Sequence, residues 1–323
     1  MKAVIFEETG EAAAVLALRD VPEPSPAAGQ VLLAVETSPV HPADFSFVRG
    51  TYRVKPSFPQ VAGLSGAGRV LAAGAGVALA PGTRVAFRWP GAWAERIAVP
   101  VERIFEIPDG VSSEAGAQFV VNPITAWGLL DSASVQPGEW LGLTAASSSV
   151  AALVSALAEE RGLRVLGIAR AQSLSELPSH VVGVAENAPE LAERVRALTG
   201  GAGLSALIDC VGGPLVSALF PALRPGATLV AYGTLSPEPI IVKNATLVYG
   251  NLTWRGFGID RWFNGLSADE VSRMTRALWS GIARGRLPLP VQARVALGDF
   301  AEGLRLAVAG GPGKVMIGAE TPK

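Results

Sequence analysis

The stretch after Pro108-Asp109-Gly110 constrains this chain most, because from there strand-like and helix-like segments alternate. Apolar runs at Trp140–Thr144, Arg164–Ala169, Ser205–Cys210 and Ala227–Tyr232 read as strands. Helical patterns near Ser148–Glu160, Pro189–Leu198 and Pro214–Leu223 separate them. Strands joined through helices pair by crossovers, so the expected sheet is parallel and doubly wound, an α/β fold.

The first 110 residues have another texture. Short β-type runs at Lys2–Phe6, Val31–Glu36, Gly66–Ala73, Arg84–Phe87, Trp93–Val99 and Ile104–Ile107 are divided by Pro- and Gly-rich turns, which predicts a barrel-like all-β module. Ser112 or Ser113 is placed to cap a helix running through Ala115–Trp127. From Ser267 a helical run to Arg284, a strand at Val291–Val295, a helix at Asp299–Ala309 and a strand at Lys314–Ile317 are assigned back to the first module. The expected domains are 1–115 plus 265–323, and 116–264. A length of 323 residues suits two cores.

Composition narrows the function classes. A net charge of -1 with both signs interspersed offers no field for polyanions, so no nucleic-acid partner is expected. The longest apolar stretch, Leu215–Tyr232, is broken by Arg224 and prolines, so no membrane association is expected. Glu7 and Glu8 stand where a secretory signal would continue its apolar run, and the single cysteine, Cys210, has no internal partner, so the expected compartment is the reducing cytoplasm.

A dinucleotide site needs a strand, a tight turn of small residues, and a helix whose N-terminal amides meet the pyrophosphate. The segment WLGLTAASSSVAALV from Trp140 has that layout, with Ala145-Ala146-Ser147-Ser148-Ser149-Val150 in place of the usual glycines. The turn reads equally as a phosphate cradle and as a capped helix start. After the second strand, Gly167-Ile168-Ala169-Arg170 has no acid for a ribose hydroxyl; Arg170 suits an extra phosphate, or is an ordinary solvated arginine.

Several segments, in order along nearly the whole chain, resemble one family. PVHPADFSFVRG at Pro39–Gly50 followed by Thr51-Tyr52, VNPITA at Val121–Ala126, and Pro137-Gly138-Glu139 are similar to stretches of zinc-independent medium-chain dehydrogenases/reductases. So are DCVGG from Asp209, YGTLS from Tyr232, RGFG from Arg255 and Gly313-Lys314-Val315. Tyr52, VNPITA, YGTLS and RGF followed by Arg261-Trp262-Phe263 are most similar to trans-2-enoyl thioester reductases; quinone oxidoreductases share the scaffold. The resemblance implies a GroES-like catalytic domain beside a Rossmann cofactor domain. One cysteine and two histidines cannot supply the catalytic and structural zinc sites of zinc alcohol dehydrogenases, so no metal is expected. His41 is a pocket residue or a turn histidine bonded to backbone, and His180 reads as surface.

The resemblance further implies NADPH as cofactor and an enoyl thioester, a quinone or an enone as small-molecule substrate. Tyr52 would be the proton donor, or else a structural aromatic in a turn. Asn122 and Thr125 would lie near the nicotinamide, Ser147, Ser148, Ser149 and Val150 along the pyrophosphate, and Arg170 at the 2′-phosphate. Tyr232, Gly233, Thr234 and Leu235 would follow the fourth strand, Phe257, Gly258 and Ile259 would flank the cofactor, and Lys314 would contact it from the tail. Trp89, Trp93, Trp262 and Phe263 are pocket or core. The family implies a homodimer through the sheet edge. A relative that binds dinucleotide without catalysis is the reading from another class.

Overall fold

The computed structural model describes residues 1–318, so the last five residues of the expected 265–323 tail lie outside the described residues. The chain forms two compact units, Met1–Val121 with Leu289–Lys323, and Asn122–Pro288.

In the first unit, Lys2–Phe6 pairs antiparallel with Ala17–Asp20 and with Gln60–Val61. A seven-stranded sheet runs Val291–Ala296, Lys314–Gly318, Gln30–Pro39, Gly66–Ala73, Arg84–Phe87 and Ile104–Glu106, with Arg96–Pro100 also on Gln30–Pro39. The Val291–Ala296 and Lys314–Gly318 pair is parallel because the helix Phe300–Ala309 carries the chain across. Val31, Leu33 and Val35 alternate into a core with Phe6, Phe47, Phe87 and Trp93. Gly63 lies flush on that tryptophan: a Cβ there would stand 2.4 Å from Trp93 Cδ1.

In the second unit, six parallel strands run Val181–Ala185, Arg164–Ala169, Trp140–Leu143, Leu204–Asp209, Leu223–Ala231 and Thr253–Gly256. The first strand in the chain lies inside the sheet and the order reverses between Trp140–Leu143 and Leu204–Asp209. That reversal is the switch point where open α/β sheets of this order bind ligands. Two of these strands escape the sequence reading. Val181–Ala185 is short and interrupted by Gly183, and Thr253–Gly256 is exposed at every position, so no alternation marks it.

Three expectations need correction. The helix through Ala115–Trp127 is two helices, Ser113–Phe119, capped by Ser112, and Asn122–Ala133. Pro123 has no N–H to donate and fits only a first helical turn, so the chain restarts there. The helix Ala268–Ala283 belongs to the second unit, where it buries Met274, Leu278 and Trp279 and packs on Asn122–Ala133. The return to the first unit therefore comes at Leu289, whose carbonyl accepts from Gln118 Nε2 at 3.2 Å, and not at 265. His180 is half-buried with Nδ1 3.4 Å from Glu159 Oε2.

Candidate active site

At the switch point of the second unit a buried polar clamp holds two strand ends together. Thr144 Oγ1 donates to Asp209 Oδ1 at 2.6 Å and accepts from the Cys210 amide at 3.1 Å. The Val211 and Gly212 amides donate to the same carboxylate at 3.0 Å each. Asp209 is fully buried; burial raises its pKa while these donors act against the rise. Asp209 thus holds the loop and presents no oxygen to solvent.

The turn Ala145–Ser148 follows directly. Ala145 adopts φ 44°, a left-handed conformation that costs an alanine what glycine would adopt freely. Ala146 is buried against Gly167: a Cβ on that glycine would lie 2.7 Å from the Ala146 Cβ. A small residue is thus kept on the neighbouring strand in place of the missing glycines of the turn. The Ala146 amide donates to Ile168 O at 3.1 Å, which brings the turn level with the end of the second strand and Arg170. Ser148 caps the helix Ser149–Glu160, its Oγ accepting from the Ala151 amide at 3.3 Å. The first-turn amides of Ser149 and Val150 have no intrahelical acceptor. Ser147 and Arg170 are exposed, and the Arg170 guanidinium has no hydrogen-bond or ion-pair partner among the described residues. These features fit a dinucleotide: unclaimed helix amides, a small turn, and a free guanidinium level with both.

Around the turn, the Tyr232 phenol meets the Ser148 and Cys210 side chains, and burial holds its pKa well above the ordinary phenol value. Gly233 is required where it stands, since a Cβ would lie 2.7 Å from both Cys210 Cβ and O. Thr234 and Leu235 are exposed, Leu235 at 62%. Burial also raises the Cys210 thiol, which leaves it an unreactive neutral group. On the helix Asn122–Ala133, Asn122 and Thr125 are buried, and Asn122 Nδ2 has no hydrogen-bond partner. Gly128 of that helix receives the Phe257 and Trp262 rings, a Cβ there standing 2.7 Å from Phe257 Cζ. Phe257 N donates to Ala231 O at 2.8 Å, and Gly258 and Ile259 open the helix Ile259–Phe263. Trp262 and Trp93 are thus packing residues. A groove of about 770 Å³ is lined by Glu186, whose amide donates to Ala169 O at 2.8 Å, and by Asn187, Leu191, Val211, Pro214 and Leu215.

In the first unit, Tyr52 follows the helix Pro42–Val48. That helix begins with a proline in its first turn, and Asp44 Oδ2 accepts from the His41 amide at 2.7 Å. It ends at Gly50, φ 70°, after which the Thr51 and Tyr52 amides both donate to Ser46 O, at 2.9 and 3.0 Å. The half-buried Tyr52 packs on the core of this unit, with the Arg53 guanidinium 5.1 Å from its ring centroid. Arg88, at the end of the strand Arg84–Phe87, lies within electrostatic range of Tyr52, Arg53 and Arg103. Burial, then repulsion from Arg53, pushes Arg88 down to about 10, against the pull of Tyr52.

His41 and Asp44 are buried, with His41 Nε2 and Asp44 Oδ1 lacking hydrogen-bond partners. Burial, reinforced by Lys314, lowers the His41 imidazole well below its usual value, so it is neutral. Burial pushes Asp44 up to about 7, and burial lowers Lys314 while Asp44 acts the other way. Lys314 reaches this cluster because Val40 N donates to Val315 O at 2.9 Å and the strand Lys314–Gly318 runs antiparallel to Gln30–Pro39. Asp44, Arg53 and Arg88 escaped the sequence reading. Asp44 stood inside the quoted PVHPAD segment, whereas nothing local marks Arg88.

Residues 27–109 match the alcohol dehydrogenase GroES-like domain, and residues 150–276 match the zinc-binding dehydrogenase family. Among the described residues no group of three His, Cys, Asp or Glu side chains is arranged to hold a metal. A mitochondrial enoyl-[acyl-carrier-protein] reductase of Arabidopsis thaliana is 30% identical over 88% of this chain and 78% of its own length. A mycobacterial quinone oxidoreductase of known structure is 27% identical, covered over 98% of this chain and 99% of that one, with a TM-score of 0.86. A mycobacterial structure complexed with NADPH is 27% identical, over 98% and 100%, with a TM-score of 0.87. The pairing of a GroES-like unit with a six-stranded parallel cofactor sheet, together with these relatives, places the chain in the medium-chain dehydrogenase/reductase superfamily of oxidoreductases.

Proposed function

We propose that the protein reduces the activated C=C bond of a 2-enoyl thioester with NADPH. The observation that carries this reading is Tyr52, a phenol held at a fixed turn by two backbone bonds to Ser46 in a chain related to a mitochondrial enoyl reductase. A bound nicotinamide supplies hydride to the β-carbon of the alkene. Tyr52 hydrogen-bonds the developing enolate oxygen and delivers its proton to the α-carbon, which leaves the charge on the phenolate until solvent returns a proton to it.

The second unit supplies the cofactor groups. Ser149 and Val150 amides, with the Ser147 and Ser148 hydroxyls, receive the pyrophosphate at the positive end of the helix dipole. Arg170 receives the 2′-phosphate through its planar fork, in keeping with the related mycobacterial structure that holds NADPH. The groove lined by Glu186 suits a flat uncharged base, since Glu186, Glu190 and Glu193 would repel a second phosphate. Asn122 Nδ2, buried without a partner, donates to the nicotinamide amide, with Thr125 beside it. Tyr232 through Leu235 and Phe257 through Ile259 line the same sheet edge, and Lys314 offsets the charge of Asp44.

A second copy of the chain pairs along Thr253–Gly256. That edge strand is exposed throughout, and Val248, Tyr249 and Trp254 lie bare on and before it, Tyr249 at 85%. Sedimentation at micromolar concentration reads a dimer; a monomer overturns this part.

Replacing Tyr52 with Phe tests the reaction. The expected result is a fall in kcat of about 100-fold or more with crotonyl thioesters, at unchanged NADPH affinity. Quinone reduction, favoured by the likeness to a quinone oxidoreductase, needs no dedicated proton donor. Full activity of Tyr52→Phe on quinones and on thioesters alike would replace the enoyl reading with that one.

A further inference from the structure

A single phenol crosses the switch point of the second unit. Tyr232 follows the strand Leu223–Ala231, and its amide donates to Asp209 O at 2.8 Å, which sets it level with the end of the neighbouring strand Leu204–Asp209. The chain beyond stays pressed on that neighbour: Gly233 admits no Cβ against Cys210, and the Leu235 amide donates to Cys210 O at 3.1 Å. From this anchored backbone the side chain hydrogen-bonds to Cys210 and to Ser148, which follows the next strand of the sheet, Trp140–Leu143.

The direction of these bonds follows from what each partner has left to offer. Ser148 Oγ already accepts from the Ala151 amide, so its proton goes to the phenol oxygen. The phenol proton is left for the Cys210 sulfur, and a neutral thiol is a weak acceptor. Beside it lie the unclaimed first-turn amides of the helix Ser149–Glu160. Burial keeps the phenol protonated at neutral pH, so it has a proton to give. A hydrogen bond to a charged oxygen is roughly twice as strong as one between neutral groups, so an anion at the turn outbids the sulfur.

We propose that the Tyr232 phenol is an oxyanion donor for the cofactor pyrophosphate, held on the Cys210 thiol until the anion arrives. This rests on the dinucleotide reading of the turn and gives Tyr232 a bond of its own there. The hydroxyl rotates about its C–O bond from sulfur to a phosphate oxygen while Ser148 goes on donating to the phenol, so Ser148 meets the pyrophosphate through Tyr232. Donors chained in one direction strengthen each other. Cβ atoms at Ser147, Ser148 and Ser149 keep an anion farther from the backbone than glycines would, and a phenol from another strand spans that gap.

Calorimetric titration with NADPH, NADH and adenosine 2′-phosphate tests it, because the last has the base and the 2′-phosphate but no pyrophosphate. Tyr232→Phe should weaken both dinucleotides about tenfold and leave adenosine 2′-phosphate unchanged. Cys210→Ser supplies the second variant: a hydroxyl accepts better than a thiol, holds the phenol back, and weakens both dinucleotides while sparing adenosine 2′-phosphate. In the Tyr232→Phe background the same substitution should add nothing. Unchanged dinucleotide affinity in Tyr232→Phe, or equal loss of all three ligands, overturns the donor. A Cys210→Ser effect that persists without the phenol overturns its link to the thiol. If the wild type binds neither dinucleotide, the cofactor reading fails by itself, and thermal melts with inorganic pyrophosphate decide the donor. Stabilisation that Tyr232→Phe abolishes supports it, and absence of stabilisation overturns it.

Discussion

The sheet edge at Thr144 and the helix start at His41 are both buried and polar, and they treat their polar atoms in opposite ways. At Thr144 the side-chain hydroxyl and the Asp209 carboxylate are saturated by three amides, those of Cys210, Val211 and Gly212, and by each other. At His41 and Asp44 one nitrogen and one oxygen are left without hydrogen-bond partners, and Lys314 acts on the carboxyl as an opposite charge. A saturated cluster makes a rigid floor for a ligand; an unsaturated one keeps a carboxyl near its titration point at neutral pH.

The largest effect expected from this contrast is on stability against pH. Asp44 binds its proton more tightly folded than unfolded, up to about 7 against an ordinary carboxylate value. The folded chain therefore holds more protons in that window, so stability is full below about pH 4, falls as pH rises toward about 7, and is flat above. Urea unfolding across pH 4–8 should show a decline of roughly 2–4 kcal/mol that Asp44→Asn removes. A slope that survives the substitution would remove Asp44 from the contrast.

Thr144→Val tests the saturated side. It removes one of the two donors to Asp209 Oδ1, which keeps the Val211 amide, and leaves the Cys210 amide without an acceptor in a buried place, at a cost of about 2–3 kcal/mol, read as a shift in the urea midpoint with little change of its pH dependence. A neutral result would mean that the clamp relaxes around the valine and is no rigid floor. The smallest effect is at the rim of the same edge. Arg170→Ala should weaken NADPH about tenfold in calorimetric titration and leave NADH unchanged; equal loss for both nucleotides would move the 2′-phosphate elsewhere.

Legibility followed the range of the forces involved. The strands Arg164–Ala169 and Lys2–Phe6 and the helix from Ser267 were readable to the residue or nearly so, because apolar runs and a Ser267–Glu270 capping box are local signals. The small turn after Trp140 and the arginine after the second strand were readable as positions. Their relation was not: Ala146 meeting Gly167 across two strands substitutes a packing solution for a glycine motif, and no window of sequence contains both. The edge strand Thr253–Gly256 was missed because a strand exposed on all four residues has no periodicity to betray it.

The amino-acid sequence alone determined that a β-rich module precedes a doubly wound sheet, where the small turn after Trp140–Leu143 falls, and that one cysteine and two histidines leave no ligand set of the zinc alcohol dehydrogenase kind. These are matters of periodicity, turn chemistry and inventory, which act over a few residues or none. Only the tertiary structure decided that Thr144 and Asp209 share one hydrogen-bonded clamp, that Asp44 is pushed up to about 7, and that Arg88 comes within electrostatic range of Tyr52. Each of those depends on burial and on groups brought together from distant parts of the chain, and desolvation is a property of the folded packing that no local pattern encodes.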